Sequence, residues 1–330
     1  MGRREQAVRA AAAVAILAVL VVLVLRDQGT SPREAPGEAD ADPTVGVVAA
    51  DPTPGGAGPS DGGPDASDEP DPATPSDAVP APPEDLAELV CRQFQQPVRL
   101  RVLSFNTHRS TGSINAIAEE VLEVDPDIVL LQEVDRRMVR TGGVDQAGAL
   151  AEAVGMDGSF SANLVRGSGQ YGTLVLSRFD ILQQGRVPLV RNPRSEARGL
   201  QWVTVDVNGQ PVRVYNTHLD ATRPDVRLQQ ARQVAGVVAA DDLPVVLGGD
   251  LNAWPASGAV AAIGRELTDT WTAAGQGRSE TSRGGKKIDY LFARGLRPLV
   301  SRVAASGASD HHRLWADLRL PPPESCDSLG

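Results

Sequence analysis

The sequence predicts an α+β domain of two β-sheets packed together with helices outside. Three observations lead to it. A strand–helix–strand pattern occurs twice, once from RVLSFNTHRS to DPDIVLLQEVD and once from VRVYNTHLD to LPVVLGGDLN. The stretch between the two copies carries strand signals alone. The composition also changes near residue 84, from a segment poor in apolar residues to one with repeated apolar runs, so the domain is assigned to 84–330.

In chain order, residues 1–6 are a short cytoplasmic start, and Ala10 to Leu25 is an unbroken apolar run preceded by Arg3, Arg4 and Arg9. Counted from Ala7, it reaches the roughly 17–25 residues that cross a bilayer. Basic residues before it and acidic ones after it place the N-terminus inside. Residues 7–25 are therefore expected to be a single-pass transmembrane signal-anchor, with the domain outside the cytoplasm. The alternative is a cleaved signal peptide and a secreted domain, but no A-x-A-like site follows Leu25. Residues 26–83 hold no aromatic residue and about half of the 25 prolines. Rich in Asp, Pro, Gly and Ala, they have too little apolar surface to offset ordering entropy, and are expected to be a disordered linker.

Most of the net charge of −10 belongs to that linker, because 84–330 carries 27 Lys and Arg against 29 Asp and Glu. So balanced a domain lacks the basic surface of a strong non-specific nucleic-acid binder. Cys91 and Cys326, the only two cysteines, bracket the domain. Outside the cytoplasm such a pair is expected to form a disulfide that clips its ends together.

The first repeat copy opens with a strand ending Phe105-Asn106-Thr107-His108, the second with one ending Tyr215-Asn216-Thr217-His218. A helix follows each. In the first, Ile114, Ile117, Ala118, Val121 and Leu122 form the apolar stripe, Ser113 caps it and Pro126 stops it. In the second, Pro224 suits the first turn, and Leu228, Ala231, Ala235 and Val238 form the stripe. Each helix leads to a buried-type strand, Ile128 to Leu131 or Val245 to Leu247, delivering a carboxylate at its end: Glu133 or Asp250. Between the copies, strands are expected at Thr173–Leu176, Val187–Val190 and Leu200–Val207, with Asn208-Gly209 turning the last into Val212–Tyr215. Leu314–Leu318 is the final strand. Packed face to face, the two units bring Glu133 and Asp250 to one cleft.

The four histidines, His108, His218, His311 and His312, all lie in polar clusters at strand ends. Together with Glu133, Asp250, Asp289, Asp310, Asn106 and Asn252 they form a set of oxygen and imidazole ligands without sulfur. Such a set suits Mg²⁺, with Mn²⁺ or Ca²⁺ as alternatives, rather than zinc. Carboxylates so concentrated repel one another unless a cation intervenes, and a cation there supplies what phosphoryl chemistry needs.

SFNTHRS, LQEVD, YGTLVLSR, YNTHLD, GGDLNAWP, IDYLF and SDHH, in this order, resemble the endonuclease/exonuclease/phosphatase superfamily over roughly residues 98–320. The resemblance implies a four-layer αββα sandwich of mostly antiparallel sheets with the site at one end. It implies metal ligation by Asn106, Glu133 and Asp310, with Asp250 and Asn252 binding or orienting the attacking water and phosphate oxygens. It makes His311 a base or charge stabiliser oriented by Asp289, and His218 a phosphate or leaving-group contact. Whether Asp250 or His311 takes the water's proton stays open. Arg198 matches the phosphate-contacting arginine, and Tyr171 either lines the cleft or packs in the core. Gly248 and Gly249 are expected to leave room for backbone and phosphate, and Trp254 either to stack on a substrate ring or, the preferred reading, to cap the core. His108 and His312 are expected to be structural.

The expected activity is Mg²⁺-dependent hydrolysis of phosphoester bonds, foremost phosphodiesters, on a nucleic acid, nucleotide or other small substrate. The alternatives are a sphingomyelinase-like enzyme acting on phospholipid head groups and a non-catalytic anchored binding protein. No obligate protein partner is implied.

Overall fold

Each copy of the repeat folds as a parallel strand pair joined by a crossover helix, the arrangement that lets an apolar strand be covered on both faces. In the computed structural model, which describes residues 97–110 and 113–322, β1 (Val98–Asn106) runs parallel to β2 (Ile128–Arg136). Between them lies α1 (Ile114–Val124), capped by Ser113 Oγ accepting from the Ala116 amide and ended by Asp125 in the left-handed region. In the second copy β7 (Gln210–His218) runs parallel to β8 (Val245–Asp250), joined by α3 (Pro224–Ala239) with its proline in the first turn. The segments 7–25 and 26–83 and the Cys91–Cys326 pairing lie outside the described residues. Among the described residues, no helix is long and apolar enough to cross a membrane.

Antiparallel strands extend each pair into a six-stranded mixed sheet. One has the order β11-β12-β1-β2-β4-β3, built with β3 (Asp157–Arg166), β4 (Gly169–Ser177), β11 (Arg297–Ala304) and β12 (Arg313–Leu320). The other has the order β5-β6-β7-β8-β10-β9, built with β5 (Ile181–Pro188), β6 (Gly199–Val207), β9 (Thr268–Asp269) and β10 (Asp289–Arg294). Asn208 and Gly209, both at positive φ, close the tight β6–β7 hairpin.

Three apolar layers hold the sandwich together. Val102, Leu130, Val214 and Val246 belong to the layer between the sheets. Ile117, Val121 and Leu150 pack α1 and α2 (Gln146–Val154) on the first sheet. Ala231, Val234 and Ile263 pack α3 and α4 (Gly258–Gly264) on the second. A last short helix, α5 (Thr270–Ala274), follows β9.

Two local expectations change. The buried face of α3 is Val226, Gln230, Ala231, Val234 and Val238, while Leu228 and Ala235 are only half-buried. Gln230 enters the core because its amide is satisfied there, donating to the Val190 carbonyl and accepting from the Asp220 amide. At Gly248 the room is taken up by side chains, while at Gly249 it serves the close backbone approach that the sequence predicts. A Cβ on Gly248 would meet Leu130 Cδ1 at 2.6 Å and Leu291 Cδ2 at 2.7 Å, across the inter-sheet layer and from the neighbouring strand. On Gly249, at φ 146°, it would meet the Thr217 carbonyl oxygen at 1.9 Å.

Candidate active site

Six strands converge at one pole of the sandwich: β1, β2, β7 and β8 end there, and β10 and β12 begin there. A side chain at a strand end projects past the ladder and has no further strand to pack on, so polar residues collect at this pole. Asn106 ends β1, His218 ends β7, Asp250 ends β8 and Asp289 opens β10 directly opposite Asp250. Glu133 reaches the same place through a bulge in β2, where the register against β4 shifts and its own φ is 58°. Asn252 sits in the turn after β8 at φ 49°.

Asp250 is the centre of the cluster. Its Oδ1 accepts the Asn252 amide at 2.8 Å, and its Oδ2 accepts Asn106 Nδ2 at 3.2 Å. His218 Nε2 lies 3.4 Å and His311 Nε2 3.7 Å from the same Oδ2. Burial, with the Asp289 charge beside it, pushes the Asp250 carboxyl up to about 7.

The two histidines are in opposite states. His218 is buried, and burial together with the Arg198 charge holds it well below the usual imidazole range. Its Nδ1 lies 3.0 Å from Arg198 Nη1. A guanidinium only donates, so Nδ1 accepts and the ring proton sits on Nε2, facing Asp250. For His311, burial opposes protonation but the carboxylates outweigh it. Asp289, 2.9 Å from Nδ1, with Asp250 and Asp310 beyond, raises it to about 10. Charged, it donates from Nδ1 to Asp289 and presents Nε2–H toward Asp250.

A cleft of about 310 Å³ opens over these groups, lined among others by Arg109, Glu133, Tyr171, Arg198, His218 and Asp250. A larger hollow of about 880 Å³ beside α4 and β10 contains none of them. Arg198 is 7% exposed; it pairs with Glu196 at 2.9 Å, and its Nε is buried without a hydrogen-bond partner. Tyr171 lines the cleft, held by the Arg140 guanidinium 5.0 Å from its ring centre, which is in turn fixed by a two-pronged pair with Asp135.

Asn106, Glu133, Arg198, His218, Asp250, Asn252, Asp289 and His311 thus stand together at this pole. Asp310 stands at the rim, its side chain 52% exposed and 3.5 Å from His108 Nδ1. His312 is structural, its Nδ1 accepting the Ser306 amide. Trp254 does not cap the core: it is 60% exposed. It sits in the turn after β8, with Lys286 Nζ over its ring at 5.5 Å. The sequence reading missed Arg109, whose Nε lies 3.2 Å from Glu133 Oε2. Arg109 gets there because His108, Arg109 and Ser110 all take positive φ, which no local residue signal announces.

The chain matches the Endonuclease/Exonuclease/phosphatase family over residues 103–311, more than half its length. Solved structures share the fold. An endonuclease/exonuclease/phosphatase from Beutenbergia cavernae is 27% identical with a TM-score of 0.59, over 68% of this chain and 72% of its own. A mannosyl-6-phosphatase from Bacteroides thetaiotaomicron is 19% identical with a TM-score of 0.56, over 66% of this chain and 99% of its own. Truncated TDP2 from Caenorhabditis elegans is 23% identical with a TM-score of 0.53, over 67% of this chain and 98% of its own. No curated protein is significantly similar to the chain.

Proposed function

Because the chain belongs to the endonuclease/exonuclease/phosphatase family, whose members hydrolyse phosphoester bonds, we propose that its cleft is a divalent-metal-dependent phosphoesterase site. The observation that carries the reading is the convergence on Asp250 of two amides, a neutral histidine and a charged histidine, with an unpaired arginine Nε beside them.

The donor set fits a hard cation. Asp250, Asp289 and His311 each offer a ligand atom within 4.8 Å of the others, and the buried Glu133 Oε2 faces a cation already, Arg109 Nε at 3.2 Å. Asp289 and His311 are engaged with each other, so Asn106, Glu133, Asp250, Asn252 and Asp310 are the residues assigned to hold Mg²⁺, or Mn²⁺ or Ca²⁺. When bound, such an ion neutralises phosphate charge and acidifies water. The side chains do the rest. Arg198 offers its free Nε to a phosphate oxygen, and Asn252 orients another. His218 donates from Nε2 to the phosphate or leaving oxygen. His311, held charged by Asp289, stabilises negative charge building on the phosphate. That leaves Asp250 as acceptor of the attacking water's proton.

Phosphodiester hydrolysis of a nucleic acid, nucleotide or other small substrate is the preferred activity. The apolar run Ala10 to Leu25 and the acidic segment 26–83 support a tether that holds the domain outside the cytoplasm. Sphingomyelinase-like action on lipid is less supported, because Trp254 is the sole exposed aromatic among the described residues. The test is turnover by the full chain of plasmid DNA, nucleotides, sphingomyelin and an activated phosphodiester, with Mg²⁺ and with EDTA. EDTA should abolish activity, and Asp250→Ala should lower kcat by at least about 10³-fold. Absence of metal-dependent turnover on all of them overturns the enzyme; equal rates in Asp250→Ala and wild type overturn the site.

A further inference from the structure

We propose that Trp254 is a stacking subsite at the mouth of the cleft, selecting phosphate esters whose organic part carries a flat ring: a nucleotide rather than a sugar or glycerol phosphate. The proposal rests on the phosphoesterase reading and names the class of substrate for that site.

Trp254 is the one aromatic side chain exposed among the described residues, at 60%. The other tryptophans are half-buried, and two of them, Trp202 and Trp315, lie under the guanidinium groups of Arg213 and Arg101. An indole left in water keeps a large flat face available for another ring to stack on. Its place supports this. Trp254 follows Asn252, a cleft residue, by two positions, at most about 7 Å of backbone.

The segment that carries it is rigid. The Asn252 amide is fixed on Asp250, the Ala253 carbonyl accepts from Tyr290 Oη at 2.9 Å, and the Trp254 carbonyl accepts the Ser257 amide at 2.9 Å. The ring is steadied as well: Lys286 Nζ lies 5.5 Å from its centre, on one face. The other face is left for a second ring, with a cation beneath the stack that favours an anionic ligand. With the phosphate of a substrate seated in the cleft of about 310 Å³, Trp254, two residues along the chain from the lining residue Asn252, comes within reach of its organic part.

The experiment compares adenosine monophosphate with ribose 5-phosphate, which share the phosphate and the sugar and differ only in the base. Both are titrated by calorimetry into the full chain in EDTA, where metal-dependent turnover is absent, while tryptophan emission is followed. Adenosine monophosphate should bind about 10- to 100-fold more tightly, as one base–aromatic stack allows, and quench the emission. Trp254→Ala should reduce it to the level of ribose 5-phosphate without lowering Tm, and Trp254→Phe should restore part of the advantage. Equal affinity of the two ligands in wild type, including no measurable binding of either, overturns the subsite. So does an advantage that survives in Trp254→Ala. Hydrolysis of both esters without the affinity difference would leave the phosphoesterase standing and remove the subsite. Stacking without hydrolysis of any ester would do the reverse.

Discussion

His311 and His218 flank Asp250, and their contrast is set by what touches their second nitrogen: a carboxylate on one, a guanidinium on the other. In the metal-free protein, the His311 resonance should keep its proton until about pH 10. Asp289→Asn should lower that midpoint, because burial is then opposed only by the Asp250 and Asp310 charges; nitrogen NMR of the imidazoles reads both. Because its pKa is raised in the fold, His311 stabilises the folded state fully below about pH 6.5 and ceases to as pH climbs through about 10. Arg109 lies against Glu133, where a divalent ion is proposed to bind. Arg109→Ala should therefore tighten Mn²⁺ binding several-fold by calorimetry, since a competing cation is gone. The carboxylates and histidines were legible because the chemistry needs those residue types at strand ends. Arg109 was not, since its role comes from a run of left-handed backbone rather than from its identity.

The bulge in β2 and the glycines of β8 show how an element aims a residue. Without the bulge, Glu133 would follow strict alternation and lose its approach to Asn106, which it meets at 3.4 Å. Gly249→Ala places a Cβ on the Thr217 carbonyl and should cost about 3 kcal/mol or more in denaturant unfolding. Gly248→Ala presses only on side chains of Leu130 and Leu291 and should cost about 1–3 kcal/mol. Apolar runs and turn residues exposed most central strands to a sequence reading. β3 and β11 escaped it because as edge strands they alternate weakly and carry exposed polar residues. The α3 face was misjudged for a related reason: periodicity counts apolar residues, and Gln230 is a polar residue in an apolar place.

At the scale of the whole molecule, the repeat proved real in topology and unequal in use. Asn106 reaches the cleft, whereas its counterpart Asn216 is buried between the sheets, donating to the Leu131 and Leu174 carbonyls and accepting from Gln132 at 2.8 Å. Asn216→Ala should leave Gln132 without that acceptor and cost about 1–3 kcal/mol, with both halves still unfolding in one transition. The register of β1 on β12 sets Val98 opposite Leu320, while the expected Cys91–Cys326 bridge lies outside the described residues. Non-reducing mass spectrometry of the full chain should find the linked peptides, and free thiols in exported protein would end the idea.

That same register gives the domain a polarity. β1 runs from Val98 to Asn106, nine residues that at about 3.3 Å each separate its start from the cleft by most of the domain's depth. β12 returns along the same path, so chain enters and leaves at the pole remote from the chemistry. Val98 and Leu320, paired across the first sheet, therefore both stand at the pole opposite the one that carries the chemistry.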